Sequence, residues 1–183
     1  MTEQAPSLVV HINGWPGSGK LTIARHLAER LGARLADNHT LINPAEALFE
    51  RGNPLYRSLR AAIRESVFEH LVKASAEQSF VFTDALSDDA ADARAFQDCA
   101  ELARRRGARF VAVVMDCDVE ENLKRLTRAG RSKQHKLTDP AILLDLRAKH
   151  RLLRGNGDAV IEIDVTRLGA NEAADLIADG ILA

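Results

Sequence analysis

The chain has 183 residues and a mass of 20.0 kDa, of which 46% are hydrophobic and 28% are charged. At roughly 150 residues per domain this length predicts one domain, and the ordinary composition excludes intrinsic disorder as a description of the whole chain. Lys and Arg together number 25, against 26 Asp and Glu, which leaves a formal net charge of -1. This balance disfavours a bulk electrostatic grip on nucleic acid, although it leaves open a local basic patch.

Two cysteines, Cys99 and Cys117, are too few for a disulfide framework or a metal knuckle, and they fit a reducing cytosol. The N-terminal residues 1–7 are polar and lack the basic and apolar regions of a signal peptide. The longest apolar runs, such as 110–115, are far shorter than the ~20 residues of a membrane span. We therefore expect a cytoplasmic protein with no membrane partner.

The hydrophobic pattern predicts strands that alternate with helices along the whole chain. The predicted strands are 8–13, 34–36, 80–84, 110–115 and 160–164. The predicted helices are 20–31, 44–51, 54–76, 89–106, 119–129, 140–153 and 170–181, with a basic loop at 131–139. This alternation requires crossover connections, which predict a parallel sheet with helices on both faces. No internal repeat or long linker divides the chain.

A glycine-rich segment separates the first predicted strand from the first predicted helix. Its sequence is Gly14-Trp15-Pro16-Gly17-Ser18-Gly19-Lys20, which is G-x-x-x-x-G-K. In this context the glycines let backbone N–H groups surround phosphate oxygens, and the following helix presents the positive end of its dipole. Lys20 would neutralise the β- and γ-phosphates. The alternative is a plain glycine turn with a surface lysine. A Ser or Thr usually follows the lysine and binds Mg²⁺, but here Leu21 follows and the hydroxyl comes one residue later, at Thr22.

This loop, through Thr22, resembles the G-x-P-G-x-G-K-G-T loop of adenylate kinases and related small-molecule P-loop kinases. The layout of the chain also resembles that superfamily, which includes shikimate, gluconate and chloramphenicol kinases. The resemblance implies a three-layer α/β/α fold with a five-stranded parallel sheet of order 2-3-1-4-5. It also implies one domain over 1–183, with a helical acceptor-binding insert at about 40–78 and a lid at about 125–140. ATP and Mg²⁺ are the implied cofactors.

The resemblance implies that residues of the loop and of the approach to the lid bind the nucleotide. These are Gly14, Trp15, Pro16, Gly17, Ser18, Gly19, Lys20, Leu21, Thr22 and Arg125. Arg125, Arg128 and Arg131 follow the R-x-x-R pattern of P-loop kinases, in which one arginine stacks on adenine and others bind the transferring phosphoryl group. Several guanidinium groups suit a loose transition state whose charge is spread over three oxygens. The alternative is a solvated helix end, where cations are favoured in any case.

Two carboxylates end predicted strands. Asp37 follows the second strand, where an Asp of shikimate-type kinases contacts the acceptor hydroxyl or the magnesium; the alternative is a helix or turn cap. Asp84 ends the hydrophobic strand 80–84, which is the Walker B layout of an acid near the P-loop. We therefore predict Lys20, Asp37, Arg128 and Arg131 as catalytic residues. We predict Thr22 and Asp84 as metal ligands, although the roles of the two aspartates could be exchanged.

Three arginines of the predicted insert, Arg57, Arg60 and Arg64, share one helix face. They could bind an anionic acceptor, but a solvated face paired with Glu65 and Glu69 is the favoured interpretation. No motif identifies the acceptor.

The function predicted from these features is ATP-dependent transfer of a phosphoryl group to a hydroxyl or monophosphate of a small molecule, by a monomer or homodimer. The alternative is a nucleotide-binding switch or slow NTPase without an acceptor. A GTPase would need an N-K-x-D motif, which the sequence lacks, and an AAA-type motor usually needs a larger chain. The basic lid segment favours the kinase, because a switch needs no arginine cluster that closes over an acceptor.

Overall fold

The computed structural model describes residues 6–128 and 137–183. The strands are β1 (Leu8–Gly14), β2 (Arg34–Asp37), β3 (Phe80–Asp84), β4 (Arg109–Asp116) and β5 (Ala159–Asp164). The helices are α1 (Lys20–Arg30), α2 (Asn38–Glu46), α3 (Pro54–Val72), α4 (Ala90–Arg106), α5 (Val119–Leu126), α6 (Pro140–Lys149) and α7 (Ala170–Leu182). The order of elements is the one that the sequence pattern predicts.

All five strands lie in one parallel sheet of order β2-β3-β1-β4-β5, so the predicted fold class is confirmed. At the carboxyl end of β1, Asn13 lies beside Asp84 of β3 and Val114 of β4. The loop that follows β1 and the acid that ends β3 therefore meet at the same edge of the sheet. In open α/β sheets this is the edge at which ligands bind.

The two faces of the sheet bury separate apolar layers, because alternate residues of each strand point to opposite sides. Val10 and Ile12 pack in one layer with Leu27 of α1 and Ile177 of α7. Val9 belongs to the other layer, which α3 and α4 cover. A third, smaller cluster lies beneath the glycine-rich loop and consists of Trp15, Val114, Leu126, Leu143 and Leu152. It joins α5 and α6 to the sheet.

The predicted helix 44–51 is wrong in its boundaries. Helix α2 begins six residues earlier, because the Asp37 carboxylate accepts a hydrogen bond from the His39 backbone N–H at 2.9 Å and caps the helix. Pro44 lies inside the helix rather than at its start. A proline in the helix interior lacks the N–H that an intrahelical bond needs, and α2 ends two residues later, at Glu46.

The predicted helix 140–153 also ends too late, because tertiary pairing takes over its last residues. After α6 ends at Lys149, Leu152 forms an antiparallel bridge with Ser87, and Leu153 donates from its N–H to the Leu86 carbonyl at 3.0 Å. The chain that follows α6 thus supports the loop that follows β3. Within 6–128 and 137–183, no helix is both long and apolar enough to cross a bilayer.

Candidate active site

The glycine-rich loop turns the chain sharply from β1 into α1. Gly17 and Gly19 have φ angles of +90° and +98°, a left-handed backbone that L side chains rarely adopt. Helix α1 begins at Lys20, whose Nζ donates to the carbonyls of Gly14 at 2.6 Å and Trp15 at 2.8 Å. The ammonium group therefore lies over the loop and next to the N-terminus of α1, where anions are favoured.

Helix α5 braces the loop from behind. The Asn122 side chain is fully buried, and its Nδ2 donates to the Pro16 carbonyl at 2.9 Å. Its Oδ1 accepts a hydrogen bond from Arg147 Nη1 at 2.9 Å, so both ends of the amide are used. A Cβ atom at Gly17 would lie 2.9 Å from Asn122 Nδ2, which shows how closely helix and loop approach. The loop conformation is thus held by buried side chains as well as by its own glycines.

Arg125 joins the loop to the segment that follows β5. Its Nη1 donates to the Ser18 carbonyl at 3.0 Å, and its Nη2 donates to the carbonyls of Val165 and Thr166 at 2.8 and 3.2 Å. Its Nε donates to Glu121 at 2.8 Å. Arg125 therefore lies within α5 with its guanidinium anchored. It also lines the cleft described below, and its contact with a nucleotide stays a prediction.

The Trp15 side chain is buried in the third apolar cluster, and its contact with a nucleotide stays a prediction. Only 5% of the residue is exposed, its ring belongs to the cluster with Leu126 and Leu143, and Arg147 Cζ lies 5.1 Å from the ring centroid. Trp15 therefore takes part in the loop through its backbone carbonyl, which accepts from Lys20. Gly14 and Ser18 likewise lie behind the lining of the cleft.

A single cleft of about 1320 Å³ collects most of the predicted site residues. The predicted residues that line it are Pro16, Gly17, Gly19, Lys20, Leu21, Thr22, Asp37, Asp84, Arg125 and Arg128. Arg131 lies outside the described residues. The volume exceeds the roughly 300–1,000 Å³ typical of a pocket for one small ligand. The cleft thus has room for a nucleotide and a second molecule.

Asp84 is the last residue of β3 and is only 5% exposed. Its Oδ2 lies 3.1 Å from His11 Nε2, whereas its Oδ1 has no hydrogen-bond partner among the described residues. The Thr22 hydroxyl, on the exposed side of α1, likewise has none within the described ranges. Mg²⁺ prefers oxygen ligands of these two kinds, a carboxylate oxygen and a hydroxyl oxygen.

No group of three or more His, Cys, Asp or Glu side chains in the described parts of the chain could hold a metal ion by itself. Mg²⁺ in phosphoryl-transfer sites usually needs only one or two protein oxygens, with the remaining ligands supplied by phosphates and water. Thr22 and Asp84 therefore fit an ion that binds together with a nucleotide.

Asp37 ends β2 at the same edge of the sheet. Its two carboxylate oxygens accept from the His39 N–H at 2.9 Å and from the Thr40 hydroxyl at 3.0 Å. Asp37 therefore caps the N-terminus of α2, as the alternative interpretation of the sequence predicted. Each carboxylate oxygen can accept a further hydrogen bond, and Asp37 also lines the cleft, so its catalytic role stays a prediction.

Among the three arginines of α3, only Arg60 lines the cleft. Arg64 instead donates to Asp98 at 3.1 Å and to the Ala95 carbonyl at 2.8 Å, which ties α3 to α4. The predicted pairing with Glu69 is wrong, because Glu69 pairs with Arg105. Helical spacing placed the arginines on one face but could not show that α4 covers part of it.

The cleft also contains acidic residues that the sequence analysis did not single out. Asp92 and Asp89, from the start of α4, both line it. Burial raises the pKa of Asp92, and the negative charges of Asp89 and Asp84 raise it further, against a hydrogen bond from the Ser87 N–H. The polar residues His11 and Asn122 were also missed. Each interrupts an apolar pattern, in β1 and in the stripe of α5, and that interruption was the available signal.

Comparisons with known proteins place this fold and cleft in a family. A sequence model of a family described as an AAA domain matches residues 9–153, which is most of the chain. The chain belongs to this AAA domain family. The match spans the glycine-rich loop, both aspartates and α5.

Individual proteins that resemble this chain have the names of kinases. A shikimate kinase of Paracidovorax citrulli (strain AAC00-1) is 49% identical over 39 residues, a match that spans about a fifth of each protein (21% of both). A gluconokinase from Sinorhizobium meliloti 1021 has a TM-score of 0.65 at 17% identity, covering 98% of this chain and 94% of that one. A sugar kinase from Janibacter sp. HTCC2649 has a TM-score of 0.64 at 23% identity, covering 96% and 94%. The predicted resemblance to P-loop small-molecule kinases is confirmed.

Proposed function

We propose that this AAA domain is an ATP-dependent phosphotransferase that transfers the γ-phosphoryl group to a hydroxyl of a small molecule. The observation that carries the proposal is the set of side chains that line the cleft. A P-loop lysine, two strand-end carboxylates and at least two arginines line one space that is large enough for both donor and acceptor. The kinase names of the relatives point in the same direction.

The donor side of the cleft is built from the loop and its neighbours. Lys20 and the loop N–H groups would bind the β- and γ-phosphates, and Thr22 and Asp84 would hold Mg²⁺. When bound, the metal neutralises charge on the β- and γ-phosphate oxygens. Arg125, together with Arg167 and other residues of the segment after β5, would contact the nucleoside end.

The transfer itself needs a positioned acceptor and charge stabilisation. The acceptor oxygen forms a bond to the γ-phosphorus while the bond from that phosphorus to the β–γ bridging oxygen breaks, and ADP leaves. Asp37 would accept the proton of the attacking hydroxyl. Arg128, which lines the cleft, and Arg131 would stabilise charge on the three equatorial oxygens.

The acceptor side lies between α2, α3 and the start of α4. Its lining includes the half-buried His39, the buried Tyr56, Arg60 and Asp92. These side chains offer several hydrogen-bond donors and acceptors around one aromatic ring, which suits a compact molecule with several hydroxyl groups. The names of the relatives, which denote kinases of shikimate, gluconate and a sugar, support the same class of acceptor.

The decisive experiment measures ATP consumption by the purified chain with pooled acceptors. The pools contain sugars, sugar acids, shikimate, nucleoside monophosphates, aminoglycosides and chloramphenicol-like alcohols, and each is compared with the acceptor-free rate. We expect one pool of hydroxylated molecules to raise the rate well above that baseline, with Lys20→Ala abolishing the increase. A slow rate that no pool changes would contradict the kinase proposal and favour a slow NTPase or nucleotide switch.

A further inference from the structure

Strand β1 carries two polar residues among its apolar ones, and both are buried. His11 is 0% exposed and Asn13 is 2% exposed. Since they are two residues apart, they lie on the same face of the sheet, the face covered by α4. Buried polar side chains are costly unless their hydrogen bonds are made, so their partners indicate what they do.

Both residues contact the segment at and just after the end of β3, and Asn13 also donates to the Leu153 carbonyl at 3.0 Å. Asn13 accepts from the Leu86 N–H at 2.7 Å and donates to the Leu86 carbonyl at 2.9 Å, which fixes the backbone two residues after Asp84. His11 Nε2 lies 3.1 Å from Asp84 Oδ2. The pair thus holds one segment from two sides, at its backbone and at its carboxylate.

The imidazole itself has a defined orientation. Its ring lies edge-to-face against Phe96 of α4, with centroids 5.3 Å apart and an angle of 88° between the planes. His11 Nδ1 is buried without a hydrogen-bond partner among the described residues. The imidazole therefore contacts Asp84 through Nε2 alone, and Nε2 is the donor of a hydrogen bond to the carboxylate.

This contact has a particular consequence for a metal-binding carboxylate. It holds one oxygen of Asp84 at the imidazole ring. The other oxygen, Oδ1, stays without a protein partner in the described ranges, and Asp84 lines the cleft. Groups that orient a metal ligand in this way affect metal affinity although they never touch the metal.

We propose that His11 is a positioning residue that holds the Asp84 carboxylate in the orientation required for magnesium-nucleotide binding. This inference rests on the proposed function for the role of Asp84, but it concerns a residue that neither the P-loop motif nor the Walker B layout includes.

The test compares His11→Phe, which keeps an aromatic ring but removes the donor, with His11→Gln, whose amide can donate from a similar place. The measurement is calorimetric binding of a non-hydrolysable ATP analogue with and without Mg²⁺. We expect His11→Phe to reduce the gain in affinity that Mg²⁺ gives by roughly 10- to 100-fold, with unchanged affinity in EDTA. His11→Gln should retain most of the gain. The exposed His70→Phe is the matched control and should behave as wild type.

A double-mutant cycle with Asp84→Asn separates positioning from general packing. If His11 acts through Asp84, the His11→Phe change should cost nothing further in magnesium-dependent affinity once Asp84 is replaced. An undiminished cost in that background would overturn the inference, as would full retention of the magnesium effect in His11→Phe. If His11→Phe does not fold, His11→Met replaces it in the cycle, because methionine adapts to irregular core space.

The binding readout also keeps this inference distinct from the proposed function. Where an acceptor is known, His11→Phe should lower kcat and leave the acceptor KM unchanged. A wild-type chain that binds magnesium-nucleotide but phosphorylates no acceptor would contradict only the kinase proposal. A wild-type chain whose nucleotide affinity does not respond to Mg²⁺ would overturn the inference about His11.

Discussion

The two sides of the cleft are built differently. On the donor side, the loop between β1 and α1 is held by the buried Asn122, by Arg125 and by its own Lys20, through hydrogen bonds to four consecutive or near-consecutive carbonyls. On the acceptor side, α3 has 19 residues, of which only Tyr56 and Phe68 are buried. The proposed donor side is thus held by hydrogen bonds to its backbone, whereas the α3 part of the proposed acceptor side has few buried side chains.

This difference matches what each side has to recognise. Phosphate groups are the same in every nucleotide, so a rigid cradle of N–H groups serves them well and has a short sequence signature. Acceptors differ in shape, and an exposed helix pair can change its residues with little cost to the core. The contrast explains why a sequence motif marks the donor side and none marks the acceptor.

The largest expected effect is on the donor side. Replacement Lys20→Ala should lower phosphoryl transfer by roughly 1,000-fold, because a preorganised charge next to the transferring group is lost. Turnover with a responsive acceptor pool measures this, and the exposed Lys73→Ala serves as the control. Unchanged turnover would contradict the P-loop assignment, and with it the assignment of a donor side and an acceptor side to the cleft.

Replacements of Asp37 and Asp84 test which carboxylate serves the acceptor and which serves the metal. Asp37→Asn should lower kcat by roughly 100-fold, through loss of the general base. Its magnesium requirement should stay the same, and α2 should remain capped because asparagine is a good N-cap. Asp84→Asn should instead raise the Mg²⁺ concentration for half-maximal rate by about tenfold or more. A magnesium titration of both variants measures these two effects. The opposite pattern would show that Asp84 is the general base and Asp37 the metal ligand.

The brace behind the loop should contribute to stability as well as to binding. Asn122→Ala removes the partner of the Pro16 carbonyl and of Arg147 Nη1, which should cost about 1–3 kcal/mol of unfolding free energy. Arg147 Nη2 keeps its hydrogen bond to the Cys117 carbonyl. Urea denaturation and nucleotide titration measure the two effects, with the exposed Asn171→Ala as control. If stability falls but nucleotide affinity does not, the loop is not preorganised by α5.

The smallest effect is expected on the acceptor side. Arg60→Ala should raise the acceptor KM by about 3- to 10-fold, which is the effect expected from loss of one partly solvated hydrogen bond. Nucleotide affinity should stay unchanged. Arg57→Ala is a closely matched control, since Arg57 lies one turn earlier on α3 and does not line the cleft. Equal effects of the two replacements would show that the acceptor does not contact this part of α3.

Much of the architecture follows from local features of the sequence. The strands, the glycine-rich loop and the start of α1 depend on hydrophobic periodicity and on glycines with positive φ, which are properties of neighbouring residues. The strand order came from the resemblance that the loop suggested. Lys20 could be selected because it ends the glycine-rich motif, and Asp37 and Asp84 because each follows or ends a strand at the edge where ligands bind.

The tertiary structure alone decided which side chains support these residues. His11 and Asp84 are 73 positions apart, and Arg125 and Ser18 are 107 apart, yet each pair is in hydrogen-bond contact. The end of α6, the covering of Arg64 by α4 and the buried position of Trp15 depend in the same way on elements distant in the chain. Periodicity records only the neighbours along a helix or strand, and these partners are brought together by the folding of the sheet.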